Sequence, residues 1–262
     1  MYTLITGAGA GIGKALALEC AAKGMNLLLV ALPGAELEET ACQVRKQYPI
    51  ECNCLGVDLS VHCAATKVYD WVINNGYKVN ILINNVGLGS KSAFEEMPLD
   101  FYYTQIHLNV IATCMMTRLF ISELRKHGPA YIMNTGSMGG FFLLPHKTVY
   151  SATKAFVYSF SRGLRLELKQ SGITVSVLCP GGTDSNAKTI AINKDLKGLA
   201  KASILMPADV AREAIDKMLK GKAVIVPGNL NKLSYYISRI VPGFVKNFFV
   251  LNTFKHVNKH TY

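Results

Sequence analysis

Tyr150 and Lys154 lie four residues apart, so on a helix a phenol and an ammonium project from one face, one turn apart. A free phenol has a pKa of about 10 and is a poor base at neutral pH; lowering it by two or three units takes roughly 3–4 kcal/mol of preferential phenolate stabilisation. A neighbouring ammonium acts in that direction. Tyr150 so placed can exchange a proton with an alcohol or ketone oxygen. Ser137, thirteen residues upstream, supplies a hydroxyl that can hydrogen-bond the same oxygen as charge develops on it. With twelve tyrosines in the chain, roughly one Tyr-x-x-x-Lys pair arises by chance, so the meaning of the pair depends on its surroundings.

The surroundings begin at the N-terminus. Met1 to Thr6 reads as a short buried strand, and Gly7, Gly11 and Gly13 punctuate a turn into a helix from about Ile12 to Gly24. Glycines let backbone approach a pyrophosphate, and the helix N-terminus offers unpaired N–H groups and the positive end of its dipole. The spacing is Gly-x-x-x-Gly-x-Gly, and at the first strand of an alternating strand and helix pattern it points to a dinucleotide. A positively charged nicotinamide ring would further favour the Tyr150 phenolate.

Together these residues resemble the short-chain dehydrogenase/reductase family, and the resemblance spans nearly the whole chain. It implies that Asp58, at the end of a strand Glu51 to Asp58, contacts the adenine ring, where the plain alternative is a strand-end turn residue. Ile81-Leu82-Ile83-Asn84-Asn85-Val86-Gly87 resembles the Asn-Asn-Ala-Gly element, so Asn84 and Gly87 are expected to steady the central sheet and lie along the cofactor. Asn109, in a helix from about Asp100 to His127, matches the fourth catalytic residue, which helps hold a relay water beside the lysine. Cys179-Pro180-Gly181-Gly182-Thr183-Asp184-Ser185, after the strand Ile173 to Leu178, is similar to the loop that meets the nicotinamide. Pro180 and Gly181 belong to it, and either Thr183 or Ser185 supplies its hydroxyl. The cofactor set is therefore Gly7, Gly11, Ile12, Gly13, Asp58, Asn84, Gly87, Tyr150, Lys154, Pro180, Gly181, Thr183 and Ser185, beside the catalytic set Asn109, Ser137, Tyr150 and Lys154.

After the second strand, Asn26 to Ala31, the family has an acid for the ribose of NAD or an arginine for the phosphate of NADP; this chain has Leu32-Pro33. The missing acid and Lys14 tilt the expectation toward NADP over NAD, since no residue recognised there would repel a phosphate. Val86, where most relatives have Ala, is similar to the branch holding hydroxysteroid dehydrogenases and very-long-chain 3-oxoacyl-CoA reductases, and ranks lipid-like carbonyls first. The apolar run Phe141 to Pro145 and the segment Ala187 to Pro207, read as a mobile lid within 186–207, also suit an aliphatic or polycyclic ketone or alcohol better than a sugar. His146 lies in a loop, where a solvated histidine is the ordinary case.

The elements needed to position these groups are present. Of 262 residues half are apolar, and further helices are read at Ala35 to Tyr48, Val61 to Gly76, Val149 to Ser171 and Ala208 to Lys220, with strands at Tyr131 to Thr135 and Ala223 to Val226. Successive β-α-β crossovers imply an α/β, Rossmann-like, doubly wound parallel sheet in a single domain, 1–262. Seven scattered cysteines lack metal-type clustering, so no metal is expected, and Cys52 and Cys54 read as core packing. With no charged and apolar leader before the first strand, the expected location is cytoplasmic.

Charge is uneven. From Asn186 onward, thirteen Lys or Arg face four acids, and after Asp216 no acid occurs. Leu230, Leu233, Tyr236, Ile237 and Ile240 recur at helical spacing, and Val245, Phe248, Phe249 and Phe254 follow, making 228–262 a basic amphipathic extension. Three roles fit it: packing on its own domain or a second subunit, peripheral contact with a membrane surface, or contact with an anionic partner such as a coenzyme A thioester. Nucleic acid is not expected, because no binding module accompanies the charge. The resemblance implies a homodimer or homotetramer paired through the two long helices. Two other readings are a catalytically silent NADP-binding sensor and a membrane-surface scaffold.

Overall fold

The computed structural model describes residues 1–90, 92–185, 187–194, 198–243 and 245. Its strands are β1 (Tyr2–Thr6), β2 (Asn26–Ala31), β3 (Cys52–Gly56), β4 (Val79–Asn84), β5 (Ala130–Thr135), β6 (Ile173–Leu178) and β7 (Val224–Ile225). All pair in parallel, in the order β3-β2-β1-β4-β5-β6-β7. The helices are α1 (Gly11–Ala22), α2 (Ala35–Gln47), α3 (Ala64–Asn74), α4 (Leu99–Ile106), α5 (Thr113–Lys126), α6 (Thr148–Glu167), α7 (Ala187–Lys194), α8 (Gly198–Ala202), α9 (Pro207–Leu219) and α10 (Asn229–Ile240).

Helices on both faces explain why β2 is apolar without interruption. Successive side chains of a strand point to opposite faces. Leu27 and Leu29 join Ile5, Ile83 and Met133 under α1, α2 and α9. Leu28 and Val30 join Leu4, Leu82 and Ile132 under α3, α5 and α6. The strand order reverses at β1, which pairs with β2 on one side and β4 on the other. The crevice at the carboxyl ends of β1 and β4 is where a doubly wound sheet receives a ligand.

Three expectations change in detail. The helix read from Asp100 to His127 runs unbroken from Leu99 to Lys126 but is not uniform: α4 and α5 flank a π-helical segment, His107–Ala112, that contains Asn109. The third strand stops at Gly56, and Asp58 instead closes a turn, its Oδ1 accepting from the Ser60 N–H at 2.8 Å. The helix expected from Val61 begins at Ala64, because Cys63 takes a left-handed φ of 63°. Cys52 is buried, whereas Cys54 is half-buried beside Glu38 and Arg45. Of the 186–207 span, residues 186 and 195–197 lie outside the described residues, as do 244 and 246–262 of the C-terminal extension, with Phe248, Phe249 and Phe254.

Candidate active site

The glycine turn is built by backbone demands. Gly7 and Gly11 have φ of 66° and 55°, and a Cβ on Gly13 would stand 1.9 Å from the Gly7 carbonyl oxygen. Ala10 stands at the N-cap of α1 without a side-chain hydrogen bond, and the first turn, which includes Ile12 and Gly13, carries no acid. Among the described residues no side chain caps these N–H groups, so the turn fits the diphosphate of a dinucleotide.

The end of β4 is fastened to this turn. The Thr6 hydroxyl accepts from the N–H groups of Asn85 and Val86 at 3.0 and 3.2 Å, and the Asn85 amide donates to the carbonyls of Thr6 and Gly7 at 3.2 and 3.3 Å. Asn84 turns the other way. It is buried and donates to the Thr117 hydroxyl and to Asn134 Oδ1 at 2.9 and 2.8 Å, joining β4 to α5 and β5. Asn84 thus steadies the sheet, and Asn85 is the residue beside the turn. Asp58 spends Oδ1 on Ser60, the turn role recognised as its alternative.

Asn109, an exposed residue on an ordinary helix, is here buried in the π-helical turn. Its Oδ1 accepts from the Leu88 N–H at 2.8 Å, and its Nδ2 donates to the Leu88 carbonyl at 3.0 Å and the Thr153 hydroxyl at 2.9 Å. Such a bulge is commonly found at functional sites. Lys154 extends from α6 to the Thr135 carbonyl at 2.8 Å. A Cβ on Gly87 would meet Asn109 Oδ1 at 2.9 Å and Lys154 Nζ at 3.2 Å, so Gly87 is the residue whose smallness lets the two converge. The buried Thr135 hydroxyl has no partner among the described residues, so the polar floor of the site is not saturated by the chain itself.

Ser137 is the N-cap of the 3-10 turn Met138–Phe141, its Oγ accepting from the Gly139 N–H at 3.0 Å, and a Cβ on Gly139 would meet both the Ser137 Oγ at 3.4 Å and the Tyr150 ring at 3.5 Å. The Lys154 ammonium is 5.9 Å from the centre of the Tyr150 ring. The electrostatics depart from the sequence expectation. Burial raises the phenol above its ordinary value, with the nearby Ser137 hydroxyl opposing, and burial pushes the lysine down to about 8. The ammonium is committed to the Thr135 carbonyl, and it is itself disfavoured by the same desolvation.

The loop after β6 is anchored through the Met138 N–H, which donates to the Pro180 carbonyl at 2.9 Å. A Cβ on Gly181 would strike Asn231 of α10 at 2.6 Å, so this glycine also makes room for the C-terminal helix. Thr183 is buried and bonds back to the Gly181 carbonyl at 3.3 Å, while the Ser185 carbonyl lies 3.0 Å from where a Gly11 Cβ would be. Of the two hydroxyl residues, Ser185 is therefore the one against the glycine turn. At the other end of the turn, the Glu36 Cβ sits 3.4 Å from the position of a Gly9 Cβ, so an acid borders the turn that the sequence reading did not weigh. Phe141 was expected in the substrate wall, but it packs on Tyr158 and Tyr235 at ring separations of 4.8 and 5.0 Å, in the seam between α6 and α10.

Three residues that position the site escaped the sequence reading, Thr6, Thr135 and Thr153, and Asn85 entered it only as part of the Asn84-Asn85-Val86-Gly87 run. Of the three, only Thr153, between Tyr150 and Lys154, had a legible signal. Among the described residues no cluster of three His, Cys, Asp or Glu suited to a metal occurs.

Comparison with known proteins agrees with this geometry. The short chain dehydrogenase family model matches residues 2–197. A very-long-chain 3-oxoacyl-CoA reductase of Danio rerio is 34% identical over 183 residues, 68% of this chain, and the matched region spans 57% of the length of that relative. Among solved structures, a bulky-bulky ketone specific alcohol dehydrogenase from Comamonas testosteroni is 27% identical with a TM-score of 0.75, covering 91% of this chain and 92% of that one. A short-chain dehydrogenase from Sphingobium yanoikuyae in complex with NADPH is 28% identical with a TM-score of 0.78, covering 86% and 87%. With its glycine turn, parallel sheet and Ser-Tyr-Lys constellation, the chain belongs to the short-chain dehydrogenase family.

Proposed function

We propose that this chain is an oxidoreductase that moves a hydride between a nicotinamide cofactor, NADP(H) or NAD(H), and the carbon of a carbonyl or secondary alcohol on an apolar, lipid-like substrate. The observation that carries this reading is the convergence of Ser137, Tyr150, Lys154 and Asn109 at one end of the sheet, next to an uncapped glycine turn. Ser137 orients the substrate oxygen and Tyr150 exchanges its proton. Lys154 holds cofactor ribose and supplies positive charge to the phenol, and Asn109 holds the backbone that the lysine faces. The bound nicotinamide supplies the hydride and, when oxidised, further positive charge. Pro180, Gly181 and Ser185 are assigned to its carboxamide side, and Gly7, Gly11, Ile12 and Gly13 to the diphosphate.

The uncharged and exposed Leu32 at the end of β2 favours NADP(H), while Glu36 near the turn opposes it. The substrate class rests on the acyl-CoA reductase and bulky-ketone relatives and on the exposed apolar residues Leu143, Ile190, Leu199 and Met206 around the loop and lid span. A homodimer through the exposed faces of α5 and α6 belongs to the same reading. No helix among the described residues is long and apolar enough to cross a membrane.

The test is nucleotide titration with NADPH and NADH, followed by turnover of 3-oxoacyl-CoA thioesters, steroid ketones and sugars, read by nicotinamide absorbance. Turnover of the apolar ketones is expected, with Tyr150→Phe binding nucleotide but losing at least about a hundredfold in rate. Tight nucleotide binding with no turnover of any carbonyl would instead favour a silent sensor.

A further inference from the structure

The C-terminal helix α10 is turned inside out. Its face against the domain is polar: Asn231, Tyr235 and Ser238 are buried, with Asn231 Nδ2 donating to the carbonyls of Ser203 and Pro227 at 3.0 and 3.1 Å. Its outward face is apolar: Leu233, Tyr236, Ile237 and Ile240 follow at spacings of three, one and three residues, and Ile240 is 84% exposed. On an ordinary surface helix that stripe faces the core. Here twelve residues of helix present it to the outside.

The charge around this face selects what covers it. Residues 217–262 hold eight Lys or Arg and no Asp or Glu. On α10 itself, Lys232 and Arg239 flank one edge of the apolar stripe. Lys232 is paired with Glu213 at 2.6 Å, but Arg239 donates only to neutral phenols, those of Tyr158 and Tyr235, at 3.0 Å each. Arg162 shares the Tyr158 hydroxyl at 3.3 Å, and neither arginine has an acidic partner among the described residues. A second copy laid on this face would bring cation against cation, and so would the chain's own continuation, which carries Lys246, Lys255 and Lys259. A surface that is apolar beneath a layer of negative charge meets both requirements.

We propose that α10 docks the enzyme on anionic lipid bilayers, with Leu233, Tyr236, Ile237 and Ile240 seated among the acyl chains near the headgroups and Arg239 and Arg162 facing lipid phosphates. Because Asn231 also holds the carbonyl of Ser203, in the segment that follows α8, docking sets the lid span next to the membrane. A water-insoluble ketone could then enter without crossing water.

The test is flotation of the full chain with phosphatidylcholine vesicles, with and without phosphatidylserine. Binding is expected only where phosphatidylserine is present, and it should weaken as salt rises. The double variant Ile237→Glu, Ile240→Glu should bind about tenfold or more weakly while its unfolding midpoint and nucleotide affinity stay unchanged. Leu233→Gln, one turn earlier on the same face, should act in the same direction and repeats the test if the double variant fails to fold. Wild-type protein that ignores phosphatidylserine vesicles, or variants that bind them as well as wild type, would overturn the proposal. So would a wild-type dimer that the double variant splits with no vesicle binding by either, since the occupant would then be a second copy.

Discussion

The two titrating side chains of the site sit on the wrong sides of their ordinary values for a proton shuttle, the phenol high and the lysine pushed down to about 8. Both displacements come chiefly from burial; nearby positive charge would lower the phenol, whereas only acceptors for the ammonium would raise the lysine. The depressed lysine has a consequence for stability. Below about pH 8 the folded protein holds a buried ammonium at a cost; between there and 10.5 the folded lysine has lost its proton while the unfolded one keeps it, so the fold gains stability as pH rises. Lys154→Met should therefore be the more stable protein at neutral pH, by up to a few kcal/mol, and its lead in thermal midpoint should close across that window. A lead that does not vary with pH would show that Lys154 is not buried as a charge. A second single-residue prediction concerns Leu32, exposed at the end of β2. Leu32→Arg should raise NADPH affinity about tenfold and leave NADH nearly unchanged in a binding titration, a charge-assisted bond to phosphate being worth roughly 1.5–3 kcal/mol. The identities of Ser137, Tyr150 and Lys154 could be read from types and spacing, but the direction in which the phenol is displaced could not. Spacing reports neighbours along one helix, whereas desolvation is set by β5, β6 and the loops that close over it.

At the scale of elements, the π-helical segment His107–Ala112 is what turns an otherwise ordinary helical asparagine inward. Asn109→Ala would strand the Leu88 N–H, whereas the Leu88 carbonyl keeps the Gln105 amide at 3.1 Å and the Thr153 hydroxyl keeps the Tyr150 carbonyl at 2.7 Å. Leaving such a group unpaired costs about 1–3 kcal/mol, so a fall in unfolding free energy of that size is expected. Turnover should drop about tenfold or more, because the strand-end segment from Asn85 to Leu88 loses its register against Lys154. Denaturant titration and steady-state rates measure the two effects, and a stable, fully active variant would show the bulge to be incidental. The strands β2 and β6 were legible to the residue, since an apolar run as in β2, or β-branched residues in alternation as in β6, between turn signals has few other readings. The change to π-helical geometry after Ile106 was not. Hydrophobic periodicity carries no mark for a side chain that captures backbone twenty-one residues upstream. For the same reason Asn84 and Asn85, adjacent in sequence and identical in type, divided their roles only once β4 had neighbours: one faces β5 and α5, the other the glycine turn.

At the scale of the whole molecule, two helical surfaces among the described residues expose apolar side chains, apart from those of the lid span. The one on α10 lies in a stretch without acids and is assigned above to lipid. The other runs along the second face of the sheet, where Ile106, Ile111 and Met115 follow the line from α4 through the π-helical segment to α5, and Phe156 on α6 stacks on Phe160 at 5.9 Å. These side chains stand on the long helices that cover one layer of the core, away from the glycine turn. Apolar side chains on rigid helices suit a self-complementary contact, in which one patch meets its own copy across a two-fold axis. The full chain is accordingly expected to run as a dimer or tetramer in light scattering at micromolar concentration. Met115→Glu or Phe156→Glu should lower its mass toward that of one chain, since each would bury a carboxylate against its symmetry mate. Ile237→Glu should leave the mass unchanged. A wild-type protein that stays monomeric at every concentration, or a Phe156→Glu variant with unaltered mass, would remove α5 and α6 from the interface. A loss of mass in Ile237→Glu instead would move the contact to the C-terminal helix and take the lipid assignment with it.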